Sequence, residues 1–128
     1  MKLLLDTHPF IWWTTDPPKL SGAARDALAN PENEVLLSVV SIWEIQIKKQ
    51  LGKITLARPL HELVAEEEQS NAVWLLPVLA EHVYALEALP PHHKDPFDRL
   101  LLAQAQHEGA VLVSCDHAFG AYGAALLW

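Results

Sequence analysis

The sequence predicts an α/β domain built on a mainly parallel sheet, on three observations. Short uninterrupted apolar runs recur at Lys2–Leu5, in "VLLS" (35–38) and in "AVLVS" (110–114). Segments with helical periodicity separate them, and each run leads into a turn or helix start carrying an acid or a hydroxyl. Strands buried on both faces lack polar alternation, and parallel strands need helical crossovers, so this alternation defines the class.

Each element follows in order. Lys2–Leu5 is a strand ending at Asp6, and Pro9 falls in the first turn of the next helix, where its missing N–H is harmless. "TTDPPKLS" is a loop, and Ser21 is the N-cap of "GAARDALAN". "NPENE" turns into the strand "VLLS", which runs into the helix "VVSIWEIQIKKQLGK", closed by Gly52. "PLHELVAEEEQ" is an amphipathic helix, "AVWLLPV" a short strand and "LAEHVYALEAL" a helix stopped by "PPHHKD". Asp95 and Pro96 open a helix that ends near Gly109, before "AVLVS". "AALLW" is a last edge strand. The 128 residues fit one domain, 1–128, with 51% hydrophobic residues to fill a core.

Composition excludes some functions. No apolar run is long enough for a membrane span, and "MKLLLDTH" is too short for a signal peptide. One cysteine, Cys115, rules out an internal disulfide and fits a cytoplasmic setting. The net charge of −7 opposes unaided binding of nucleic acid. The cations are nonetheless clustered: Lys48, Lys49, Lys53 and Arg58 lie together, and Lys94 and Arg99 flank "DPFD".

Four acids carry the chemistry. In "DPFDRLLLAQA", Leu101, Leu102 and Ala105 define a buried stripe, and at about 100° per residue Asp98 falls inside it. Asp95 already serves as the cap, so capping does not explain an inward Asp98. Asp6 and Asp116 follow strands, and a parallel sheet puts both at its carboxyl edge, where α/β sites form. Glu44 lies on the helix that leaves "VLLS", just off a core stripe of Val40, Trp43, Ile47 and Leu51. Taken singly, Asp6 is a helix cap, Asp116 a turn residue and Glu44 a surface partner of Lys48. Together, four carboxylates on one edge repel unless a cation neutralises them. Oxygen donors with few Cys or His suit Mg²⁺ or Mn²⁺, and paired ions of this kind hydrolyse phosphodiesters.

"LLLDTHPFIWW", "SVVSIWEIQIKKQLGKI", "LPPHHKDPFDRLLLAQAQHEG" and "VLVSCDHAFGAYGAALLW" together resemble the PIN-domain ribonuclease toxins of bacterial VapC type. The match runs from end to end and is weakest between Arg58 and Ala88. It implies a PIN-like three-layer α/β/α sandwich and Mg²⁺- or Mn²⁺-dependent endoribonuclease activity. It also implies a homodimer and a cognate antitoxin, with DNA bound only through that antitoxin. On this resemblance Asp6, Asp98 and Asp116 bind metal, while Glu44 binds or orients a second metal or the attacking water. Thr7, Ser38 and Ser114 are the supporting hydroxyls. Two positions depart from the family: Cys115 stands where an arginine is common, and Pro9 where a small residue is.

Other residues carry weaker expectations. Lys48, Lys53, Arg58 and Arg99 are candidate RNA contacts, with Arg99 alternatively pairing Asp95. His8 is a turn residue, and His92 and His93 lack the spacing of a zinc site. Ile42 and Ile45 give the Glu44 helix a second apolar face, which internal packing or a partner covers, and Trp12, Trp13 and Trp43 add aromatic area. A catalytically silent interaction module of the same fold is the alternative function. A phospho-acceptor signalling domain calls for an acidic pair after the first strand, where this chain has Asp6-Thr7.

Overall fold

A computed structural model of the chain describes residues 1–92 and 95–128. His93 and Lys94 lie outside the described residues. Five strands form the sheet: β1 (Lys2–Leu5), β2 (Glu34–Ser38), β3 (Trp74–Leu76), β4 (Val111–Val113) and β5 (Leu126–Leu127). All pairings are parallel, in the order β3-β2-β1-β4-β5. The helices are α1 (Thr7–Thr15), α2 (Gly22–Ala29), α3 (Val39–Gln50), α4 (Leu60–Ser70), α5 (Ala80–Tyr84) and α6 (Pro96–Glu108). Short 3-10 segments cover Pro17–Lys19, Ala85–Ala88 and His117–Tyr122.

Strand alternation splits the core into two layers, one on each face of the sheet. Leu3, Leu5, Val35, Leu37 and Val113 pack with Phe10, Leu20, Ala24, Leu28, Ile45, Leu60 and Val64 from α1 to α4. Leu4, Leu36 and Leu112 pack with Leu101, Leu102, Ala105 and Phe119 on the other side. The result is the predicted α/β/α sandwich.

The local signals hold. Ser21 Oγ caps α2 through the Ala24 N–H, and Asp95 caps α6 through Phe97 and Asp98 with Pro96 in the first turn. Gly109 closes α6 at φ 64°, a left-handed geometry that favours glycine. The helix expected over residues 79–89 divides into α5 and a 3-10 turn.

The core stripe assigned to α3 is corrected. Trp43 and Leu51 are exposed, and the buried side carries Val40, Ser41, Glu44 and Ile45. Helix α3 packs against α1 and α6, and the Thr7 hydroxyl on α1 bonds Glu44, so these contacts, and not apolar periodicity alone, set its buried side. Ile42 packs half-buried against the core, so internal packing accounts for that second face.

Candidate active site

Three strand ends and two helices converge at the carboxyl edge. Asp6 leaves β1 as the N-cap of α1, its Oδ1 accepting the Thr7 N–H at 2.8 Å. Its Oδ2 accepts the Ser114 hydroxyl at 2.7 Å, and Ser114 Oγ accepts the Asp116 N–H at 3.0 Å. The Thr7 hydroxyl donates to Glu44 Oε1 at 2.5 Å. Glu44, Thr7, Asp6, Ser114 and Asp116 are thus linked in one chain of hydrogen bonds. The capping reading of Asp6 and the ligand reading are compatible, because one oxygen caps and the second faces Ser114.

Asp98 enters from α6, half-buried in its first turn, above the buried Leu101, Leu102 and Ala105. One residue back, Phe97 meets Trp43 of α3 with ring centroids 4.8 Å apart, which brings the Asp98 turn against the Glu44 helix. Among the described residues, no three of the acids bring carboxylate oxygens within 4.8 Å of one another. Thr7 spaces the carboxylates of Asp6 and Glu44, giving its N–H to one and its hydroxyl to the other.

Burial, above all, raises the Asp6 pKa from its ordinary value; Glu44 adds to the rise, while the Ser114 and Thr7 bonds and His8 oppose it. Cys115 is a half-buried free thiol whose pKa is raised by burial and by the charges of Asp6 and Asp116. It is held as a thiol, not as a reactive thiolate.

Glu44 is not the surface residue its i,i+4 spacing suggested. It is 6% exposed and carries the Lys48 ammonium at 2.9 Å as well as the Thr7 hydroxyl. One turn earlier, Ser41 Oγ is enclosed with no hydrogen-bond partner among the described residues. The acids, Thr7 and Ser114 offer only oxygen, and a set of hard oxygen donors fits Mg²⁺ or Mn²⁺.

The other candidates divide. Ser38 caps α3 through the Val40 N–H but gives its hydroxyl to Gln104 Oε1 at 2.5 Å, so it braces α6. The Arg99 guanidinium goes to the Leu86, Leu89 and Pro90 carbonyls and to the Tyr122 hydroxyl, tying down the loop before α6 instead of pairing Asp95. Arg58 pairs with Glu62 and Glu66 on α4. Lys53 is exposed. His8 is exposed and stacks obliquely on Trp12, and His92 meets Tyr122.

Sequence reasoning missed one group, His82, His107 and Glu108, whose ligand atoms lie within 4.8 Å. Their spacing, 82 against 107–108, carries no local signal. His82 is fully buried; its Nδ1 accepts the Leu79 N–H at 3.0 Å, and its Nε2 lies 3.0 Å from Glu108 Oε2. A donor at Nδ1 places the ring proton on Nε2, pointing at the carboxylate. Nε2 therefore has no lone pair for a metal while the bond to Leu79 stands. The group is a structural clamp between α5 and the end of α6, about 15 Å of helix from Asp98.

A five-stranded parallel sheet with helices on both faces, and acids at its carboxyl edge, defines the class: an α/β domain with a candidate site where such sheets form them. The chain belongs to the PIN domain family, whose model matches residues 3–125. Within that family it is similar to Ribonuclease VapC22 of Mycobacterium tuberculosis, 32% identical over 115 residues that cover 89% of this chain and 86% of the relative. Its fold is similar to VapBC2 from Rickettsia felis, solved with a promoter DNA fragment (TM-score 0.74, 16% identity, 98% and 97% of the two chains covered). DNA-bound VapBC from Salmonella typhimurium has the same fold (TM-score 0.68, 17% identity, 98% and 96% covered).

Proposed function

We propose that this protein is a divalent-metal-dependent endoribonuclease, the toxin half of a toxin–antitoxin pair. The observation that carries the reading is the hydrogen-bonded chain from Glu44 through Thr7, Asp6 and Ser114 to the backbone of Asp116 at the sheet edge. Asp98, in the first turn of α6, is assigned to the same site. The likeness to a VapC ribonuclease supports the activity class.

Asp6, Asp98 and Asp116 would hold Mg²⁺ or Mn²⁺, and Glu44 would bind a second ion or orient the attacking water. Such ions activate water and stabilise the leaving oxygen of a phosphodiester. Ser114 and Thr7 hold the carboxylate rotamers by donating to Asp6 and Glu44. Lys48 offsets the buried charge of Glu44. No side chain acts as a covalent nucleophile.

The substrate is RNA and the protein partner a cognate antitoxin, through which alone DNA is bound. Exposed Trp74, Leu75, Val78, Leu79, Val83 and Tyr84 on β3, α5 and the turn between them support a homodimer. Among the described residues no helix is long and apolar enough to cross a membrane, and the proposed setting is the cytoplasm.

The test is cleavage of single-stranded RNA with Mn²⁺ or Mg²⁺. Asp6→Asn and Asp98→Asn are each expected to lower kcat at least 100-fold, as loss of a charge-stabilising group does. EDTA abolishes cleavage and Mn²⁺ restores it. A folded wild-type protein that cleaves no RNA under either metal is instead the silent interaction module.

A further inference from the structure

Two of the four acids directly follow an aromatic residue. Trp43 precedes Glu44 on α3, and Phe97 precedes Asp98 on α6. The two rings meet edge to face, planes 72° apart. Glu44 is 6% exposed, yet Trp43 beside it is 59% exposed. Phe97 thus braces the indole without covering it, and a large π surface faces solvent where α3 meets the first turn of α6. Trp43 also walls a groove of about 700 Å³ between α3 and α4, with Lys49 of the same helix lining it. A rigid aromatic face and a cation in one groove, both on the helix that carries Glu44 and the face braced from the one that carries Asp98, form a combination suited to a single-stranded nucleic acid. Bases stack on exposed aromatics whatever their identity, while phosphates meet the cation and the metal-binding acids.

We propose that Trp43, held in place by Phe97, is a nucleobase-stacking residue for single-stranded RNA whose reacting phosphate lies at Glu44 and Asp98. The inference rests on the ribonuclease reading and deepens it. The carboxylates engage only the phosphate through metal, so they select neither strand state nor the position of the flanking bases. Trp43 supplies that selection: an unstacked base docks on the indole, and a base held inside a duplex does not. Lys49 lies six residues along α3 from Trp43, about 9 Å of rise, and takes an adjacent phosphate of the same strand.

The test compares wild type, Trp43→Leu and Trp43→Phe on a short single-stranded RNA and on the same RNA annealed into a duplex. Thermal melts monitor folding. Trp43→Leu is expected to raise KM for the single strand roughly 10- to 100-fold with little change in kcat, the loss typical of one base–aromatic stack. Trp43→Phe, which keeps a π face, recovers most of the loss. Phe97→Leu frees the indole and gives an intermediate rise, which keeps the idea testable if Trp43→Leu folds poorly. A second readout is independent of cleavage: in EDTA, titration with the RNA quenches tryptophan emission in wild type, and Trp43→Phe loses that quench. Equal KM and equal affinity in wild type and Trp43→Leu overturn the proposal. So does a Trp43→Leu protein that binds and cleaves RNA normally but escapes its antitoxin, because the face then serves a protein. A wild type that quenches but never cleaves sinks the ribonuclease reading and leaves the stacking site standing.

Discussion

Asp6 shows how one residue carries opposed demands. It caps α1 with one oxygen and is held by Ser114 at the other, in a setting buried enough to raise its pKa. The folded chain therefore holds this proton more tightly than the unfolded chain. In metal-free protein the associated stability is full below the ordinary value of 3.8 and is lost as pH rises through the folded value. Asp6→Asn removes that loss, so in EDTA at neutral pH the variant is expected to melt above wild type while having lost cleavage. A lower melting temperature would show that burial is not the dominant effect on Asp6. Ser114→Ala is the milder companion: one carboxylate bond disappears, and RNA cleavage is expected to fall about tenfold, as when an outer partner of a metal ligand is removed.

Helix α6 joins the acidic edge to the far side of the sheet. Its buried Gln104 accepts from Ser38 and donates to the Pro77 carbonyl and toward His82 Nδ1, while Glu108 at its end accepts from His82. Gln104→Leu strands several buried polar groups at once and is expected to cost about 2 kcal/mol or more in urea unfolding. The Glu108 pKa is lowered from 4.5, chiefly by the His82 hydrogen bond. Stability from this pair is present above that value and lost as pH falls through the folded one, so Glu108→Gln flattens the acid limb of the stability curve. An unchanged acid limb would remove the clamp from consideration. Gly109→Ala places a Cβ at φ 64° and is expected to cost about 1 kcal/mol in the same assay.

At the scale of the molecule, the parallel sheet gathers the ends of β1, β2 and β4 on one edge, so residues 6, 38 and 114 become neighbours although far apart in sequence. The edge of the sheet with exposed apolar β3, continued by α5, is the surface proposed for a second copy. Val83→Asp is expected to shift the mass in solution from dimer to monomer; a wild type that is already monomeric sinks the homodimer. Much of this arrangement was legible beforehand. Asp98 stood out because it broke an apolar stripe, and Asp6 and Asp116 because they ended strands. Glu44 was legible as a candidate but not as a buried one, since its spacing from Lys48 is that of any exposed helix pair.

Local physics in the sequence determined the strands, the caps at Ser21, Asp95 and Gly109, and the edge at which the acids would gather. Each depends on neighbours a few residues away or on the parity of a strand. Tertiary structure alone decided the rotation of α3, which buried Glu44 and exposed Trp43. It also decided the commitment of Ser38 to Gln104, of Arg99 to three carbonyls, and of His82 to Glu108. Those outcomes depend on which polar groups meet across elements, because a buried donor or acceptor must find its partner wherever the fold places one.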